Sequence, residues 1–142
     1  MRSTERYSAQ SSSESEISIL KESLLGGANL QKAIIFKTYL QQSVLIDANL
    51  QESIINYSIL KEANLRNANL KGADLTSSDL SGAKYLTIDQ LCEVKTLYNA
   101  KLDSELLEEV KKSCPQLLEE PIKTKLSHIQ ELEILKNSIK ME

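Results

Sequence analysis

The chain contains no tryptophan and a single phenylalanine in 142 residues. A conventional core of this length uses more aromatic rings, so its interior is built from something smaller and more regular. Cysteine is equally scarce, with only Cys92 and Cys114. A disulfide framework needs an oxidising compartment and usually more cysteines, so the two read as reduced thiols in a cytoplasmic protein. Cys92 reads as small helical packing, because no nearby His and no Cys-x-x-Cys spacing makes it reactive. The one histidine, His128, sits between apolar neighbours. There is no zinc spacing, no H-x-x-x-H and no phosphate-binding glycine loop. The sequence therefore offers no metal, no cofactor site and no catalytic cluster, and the chain reads as not an enzyme, with no small-molecule substrate. Acid pairs such as Glu108-Glu109 and Glu119-Glu120 read as solvated helix faces. No apolar run is long enough to span a membrane, and the start of the chain lacks the apolar stretch of a secretory signal. Neither sign of charge dominates. Residues 18–87 carry seven Lys/Arg and six Asp/Glu, and residues 88–142 carry eight and eleven. That balance excludes a nucleic-acid phosphate binder.

What is present is a period of five. Thirteen consecutive positions from Leu20 to Leu80, taken every fifth residue, are Leu or Ile, and Tyr85 closes the series. The residue two places before each centre, from Ser18 to Ala83, is always Ala, Ser or Thr. No ordinary element accommodates this. In an α-helix a five-residue step scatters the leucines around the circumference. In a straight strand an odd step alternates them between faces. The leucines share one interior only if the chain turns a corner in each pentapeptide, and a square coil meets that condition. Gly26, Gly27, Gly72 and Gly82 follow central leucines by one or two residues, where a turn gains from a residue without Cβ.

Ala28-Asn29-Leu30, Ala48-Asn49-Leu50, Ala63-Asn64-Leu65, Ala68-Asn69-Leu70 and Ala73-Asp74-Leu75 resemble the A-[DN]-L-x-x signature of pentapeptide-repeat proteins. The resemblance covers half of the chain. It implies an all-β solenoid with an α-helical C-terminal cap, a right-handed quadrilateral parallel β-helix of about 3.5 coils with about 20 residues in each. Such a column is ~17 Å long. It also implies a bacterial protein of the kind whose helical tail follows the repeat.

Sorted by that 20-residue period, the residue before each centre should face outward. One side carries Asn29, Asn49 and Asn69. The other three are apolar early and polar late, a departure from the family pattern, which expects Asn or Asp. Ile19, Leu24, Ile34, Tyr39, Val44, Ile54 and Ile59, joined by Phe36 and Ile46 one place after their centres, form the candidate surface for a partner or for self-contact. A contiguous apolar set of this size calls for a cover.

The chain divides into a mobile Ser-rich tail (1–17), the repeat (18–87) and a helical cap with a terminal amphipathic helix (88–142). Thr87 and Gln90 fit a capping box for a helix from Ile88 to about Val94. Asp103 reads as the N-cap of a second helix, Ser104 to about Ser113, which Pro115 ends. Leu91, Val94, Leu97, Leu106 and Val110 are expected over the open end of the column, which would self-associate if bare. A last helix, Ile122 to about Ile139, places Leu126, Ile129, Leu132, Leu135 and Ile139 on one face. It is long enough to fold back over the early apolar sides; dimerisation as a short coiled coil is the alternative.

These features point to a non-catalytic interaction or scaffold protein whose partner is an unknown protein or a second copy, without nucleic acid or membrane. The family resemblance implies one alternative, a mimic of duplex DNA that binds DNA gyrase or topoisomerase. That mechanism needs an acidic column, and this repeat is short and near neutral. A further alternative is a self-assembling structural protein.

Overall fold

The computed structural model describes residues 18–140; the tail read over 1–17 lies outside them. Each pentapeptide makes one straight step and one turn. The carbonyl of the central residue accepts the N–H three residues on, as in Leu40 to Ser43, Leu45 to Ala48 and Leu50 to Ser53, each at 3.1 Å. The residue two places after the centre has positive φ at every repeat from Glu22 to Gly82. A left-handed residue at that place in a hydrogen-bonded turn is the type II arrangement. Gly27, Gly72 and Gly82 adopt it freely; Gly26 does not need to. At the remaining repeats Lys, Glu, Gln, Asp, Asn, Ser or Tyr holds the same conformation at a cost of about 1 kcal/mol each. Stacking sustains it: the Glu22 N–H donates to the Gln41 carbonyl (2.9 Å) and the Lys32 N–H to that of Gln51 (2.8 Å).

Those stacked bonds set the 20-residue step. β1 (Ser18–Ile19) lies parallel to β2 (Thr38–Tyr39). Single parallel bridges continue the ladder on four sides. Side 1 carries Ile19, Tyr39, Ile59 and Asp79, and side 2 carries Leu24, Val44, Asn64 and Lys84. Side 3 is the asparagine ladder Asn29, Asn49 and Asn69, and side 4 carries Ile34, Ile54 and Asp74.

The central residues from Leu40 to Leu80 are buried. The small residues lie beside them, and their hydroxyls are satisfied locally. Ser43 Oγ donates to the Leu40 carbonyl (2.8 Å) and Ser53 Oγ to that of Leu50 (2.7 Å). At the corner between sides 4 and 1 the bond crosses coils, from the Ser58 hydroxyl to the Ile35 carbonyl and from that of Ser78 to the Ile55 carbonyl. A buried Ser therefore substitutes for Ala without an orphaned donor. Leu20, Leu25, Leu30 and Ile35 are only half-buried and line the mouth of an apolar well of about 220 Å³ at the N-terminal end.

The interior series does not end on Tyr85. That residue is 63% exposed with positive φ, under Arg66, and Leu86 turns inward in its place. The column needs an apolar group there, and a one-residue shift in the turn supplies leucine rather than a phenol. Helix α1 (Ile88–Cys92) follows, with the capping box of Thr87 and Gln90. The Gln90 side-chain amide donates to the carbonyl of Ala68 (3.0 Å), which has no following coil to pair with, and to that of Leu65 (2.8 Å), which also accepts the Ala68 N–H of its own turn. Leu91 is fully buried. The ladder then resumes: Asp74 bridges Thr96 on side 4 and Asp79 bridges Lys101 on side 1.

Helix α2 (Ser104–Ser113) starts at Asp103, but the Asp103 side chain does not cap it. Both carboxylate oxygens instead accept the Gly82 N–H, at 3.1 Å. A 3-10 turn, Pro115–Leu118, brings the Leu117 carbonyl to the Leu97 N–H (2.8 Å). The cysteines are not free thiols, as their scarcity suggests. Cys92 at the end of α1 and Cys114 after α2 are disulfide-bonded, with Cα atoms 5.7 Å apart. Their separation of 22 residues hides in the sequence what the packing of α1 on α2 brings together.

Helix α3 (Ile122–Lys140) closes the described chain. It does not fold back over the column. Ile129, Leu132, Ile134 and Leu135 are all exposed, from 52% to 64%.

Candidate interaction surface

The outward residue before each centre has a definite task. Where it is Asn or Asp, its side-chain oxygen accepts the backbone N–H two residues on. Asn29, Asn49, Asn64, Asn69, Asp74 and Asp79 all do this, at 2.9–3.2 Å. Thr96 does the same for Tyr98. Each such bond contributes about 1 kcal/mol and sets the approach to the corner. At Asp79, partial burial raises the carboxyl pKa, but the Ser81 hydrogen bonds and the charges of Lys101 and Lys61 outweigh it and hold the group below its ordinary value.

The apolar residues at this position forgo that bond. Ile19, Leu24, Ile34 and Ile54 are exposed, Ile34 by 75%, while Tyr39, Val44 and Ile59 are half-buried between neighbours in their rows. Phe36, exposed, and Ile46, half-buried, stand at corners. Sides 4 and 1 meet at the corner that carries Phe36, so Ile34, Ile54, Phe36, Ile19, Tyr39 and Ile59 share one continuous surface. Leu24 and Val44 extend it to side 2; Ile46 lies at the far corner of that side.

Tyr57 is the member of this surface that the sequence pattern does not reveal. It occupies the left-handed position of its turn, at φ 58°, where a bulky side chain is uncommon. Its ring meets Phe36 edge-on, with centroids 5.8 Å apart and planes at 82°. The signal was available only as an exception: elsewhere from Glu22 to Gly82 that position holds Gly or a polar residue. Lysines border the rings. Lys37 Nζ lies 5.2 Å from the Phe36 centroid and Lys21 Nζ 5.6 Å from that of Tyr39.

Above this surface a groove of about 670 Å³ runs between side 4 and the chain after α2. Tyr57, Asp74, Thr96 and Tyr98 form one wall, and Leu117, Pro121 and Ile122 are part of the other. Helix α3 thus leaves the column beside Tyr57. None of the described helices is long and apolar enough to cross a membrane.

A profile of pentapeptide repeats matches residues 43–82 in eight copies. Those residues belong to the pentapeptide-repeat family. The fold they are part of is a quadrilateral β-helix. It superposes on trypsin-treated forms of QnrB1, a plasmid-mediated fluoroquinolone resistance protein. One form aligns at 23% identity and a TM-score of 0.55, covering 66% of this chain and 46% of that one. Another aligns at 25% identity and a TM-score of 0.51, covering 61% and 43%. A pentapeptide-repeat protein of the Arabidopsis thaliana thylakoid lumen, AT2G44920, aligns more loosely, at 20% identity and a TM-score of 0.41, covering 66% of this chain and 74% of that one. The chain described here spans less than half the length of the QnrB1 chains. No curated protein matches its sequence.

Proposed function

We propose that the protein is a non-catalytic interaction protein that offers sides 4 and 1, with the Phe36–Tyr57 corner, to a protein partner. One observation carries this reading. Apolar residues stand where the same column elsewhere uses Asn or Asp to bond its own turn, and Leu24, Ile34 and Ile54 are solvent-exposed there. Local stability is given up at a contiguous patch, which is the usual mark of a contact surface. In this reading residues 18–87 form a right-handed column of about 3.5 coils, and residues 88–142 close its end through Gln90 and Leu91. The Cys92–Cys114 bond favours an oxidising compartment over the cytoplasm that scarce cysteine suggested.

The test is differential capture from the host cell by the wild-type chain, by Ile34→Glu/Ile54→Glu and by Lys71→Asp. A partner retained by Lys71→Asp and lost by the double variant supports the surface. Equal capture by all three removes it. The superposition on a fluoroquinolone resistance protein motivates a second reading, the gyrase-binding DNA mimic. The seven positive and six negative charges of residues 18–87 oppose it, because a duplex mimic presents phosphate-like charge. Inhibition of gyrase supercoiling at low protein concentration would place that reading first.

A further inference from the structure

The two ends of the column are closed differently. At the C-terminal end Leu86, Leu91 and Leu97 are buried and seal the interior. At the N-terminal end Leu20, Leu25, Leu30 and Ile35 are only half-buried, and the well they ring reaches down to Leu60. Every residue that lines it is Leu or Ile. A cavity walled in this way offers water no partner and takes an apolar guest instead. The period supplies no plug of its own. Carried back from Leu20, the inward position falls on Ser15, Gln10 and Glu5, and before Ile17 the large apolar side chains are Met1 and Tyr7 alone. We infer that the well is a binding site for a single alkyl chain with an anionic head, of the medium-chain carboxylate class. This goes beyond the proposed contact on sides 4 and 1 and does not depend on it.

Depth and width select the guest. From Leu20 to Leu60 are two coil steps, or ~10 Å, the length of about eight extended carbons. A volume of about 220 Å³ spread over that depth is a slender bore, suited to an unbranched chain. Charge selects the head. The first coil, residues 18–37, carries Lys21, Lys32 and Lys37 against Glu22, whereas the second, residues 38–57, carries only Asp47 and Glu52. Three of the four corners around the opening thus hold a lysine. The fourth is Gly26-Gly27, which leaves one side of the mouth without an overhanging side chain. A carboxylate seated at the rim is attracted by this local positive charge, which acts over ~10 Å at moderate ionic strength. The alkyl chain below it is dehydrated among the leucines, as burial of apolar surface requires.

The experiment is an NMR titration of the full chain, labelled at its Leu and Ile methyl groups, with sodium butyrate, hexanoate, octanoate and decanoate. Octanoate should shift the methyl signals of Leu30, Ile35 and Leu40 and leave those of Leu80 and Leu97, at the other end of the column, in place. Affinity should rise about fourfold per added methylene and level off near eight carbons, where the bore is full. Octanol, without the charge, and octylammonium, with the opposite one, should bind more weakly than octanoate. Lys21→Gln/Lys32→Gln/Lys37→Gln should bring octanoate down to the level of octanol. The column already holds a glutamine in the left-handed turn position at Gln42, so this variant should keep its fold. Leu25→Phe/Ile35→Phe narrows the mouth and should abolish binding with the thermal midpoint retained. The absence of a saturable shift in the full chain overturns the inference, whether residues 1–17 or a second copy fills the well. So does affinity that keeps climbing past ten carbons and falls in Ile34→Glu/Ile54→Glu, which marks adsorption to the apolar sides. Equal affinity for octanoate and octylammonium overturns the anionic class.

Discussion

At the level of single residues, the column separates interior, turn and outward positions cleanly. Leu50 is buried among leucines with no polar partner. Leu50→Asp is expected to cost more than ~4 kcal/mol and unfold the column, whereas Lys71→Asp, at an exposed corner, should stay within about 0.5 kcal/mol; chemical denaturation of both variants checks this. The outward position gives a sharper expectation. Ile34→Asn supplies the acceptor that Asn29 and Asn49 use in their turns, so it should stabilise the chain by about 1 kcal/mol while weakening contact at the surface. A lower thermal midpoint for Ile34→Asn would mean that Ile34 is part of the structural core after all. The inward leucine and outward asparagine were legible in the sequence because both are fixed within one pentapeptide. Tyr57 was not, since its significance comes from Phe36 one coil below it.

At the level of elements, the two short helices owe their positions to the column as much as to their own caps. Helix α1 has only five residues, too few to persist alone. Gln90, Leu91 and the disulfide hold it on the last full coil. Breaking the disulfide with Cys92→Ser/Cys114→Ser frees a loop of 22 residues and should lower stability by about 3 kcal/mol. Hydrogen exchange should then show residues 88–118 opening before the repeat; uniform loosening of the whole column would contradict this account. The capping box and the α2 bounds were readable from Thr87, Gln90 and Pro115. The carboxylate of Asp103 was not: it serves the Gly82 N–H 21 residues earlier, a long-range contact that no local cap rule contains.

At the level of the molecule, column and α3 are separate pieces joined at Pro121. Ending the chain after Glu120 removes a helix whose described apolar side chains are exposed. The thermal midpoint of the column should therefore change by no more than a few degrees, as thermal unfolding of the shortened chain checks. A large loss of stability on truncation would show that α3 lies on its own column in solution.

The repeat made the interior, the four sides and the 20-residue step visible in the sequence alone, because each pentapeptide carries its own turn, its own inward pair and its own hydrogen bonds. Beyond Leu80 that self-sufficiency ends. The replacement of Tyr85 by Leu86, the joining of Cys92 to Cys114, the return of Thr96 and Lys101 to the ladder and the exposed course of α3 all depend on contacts between distant segments. Only the tertiary structure decided these, since a non-repeating tail is placed by the surface it meets and not by its own period.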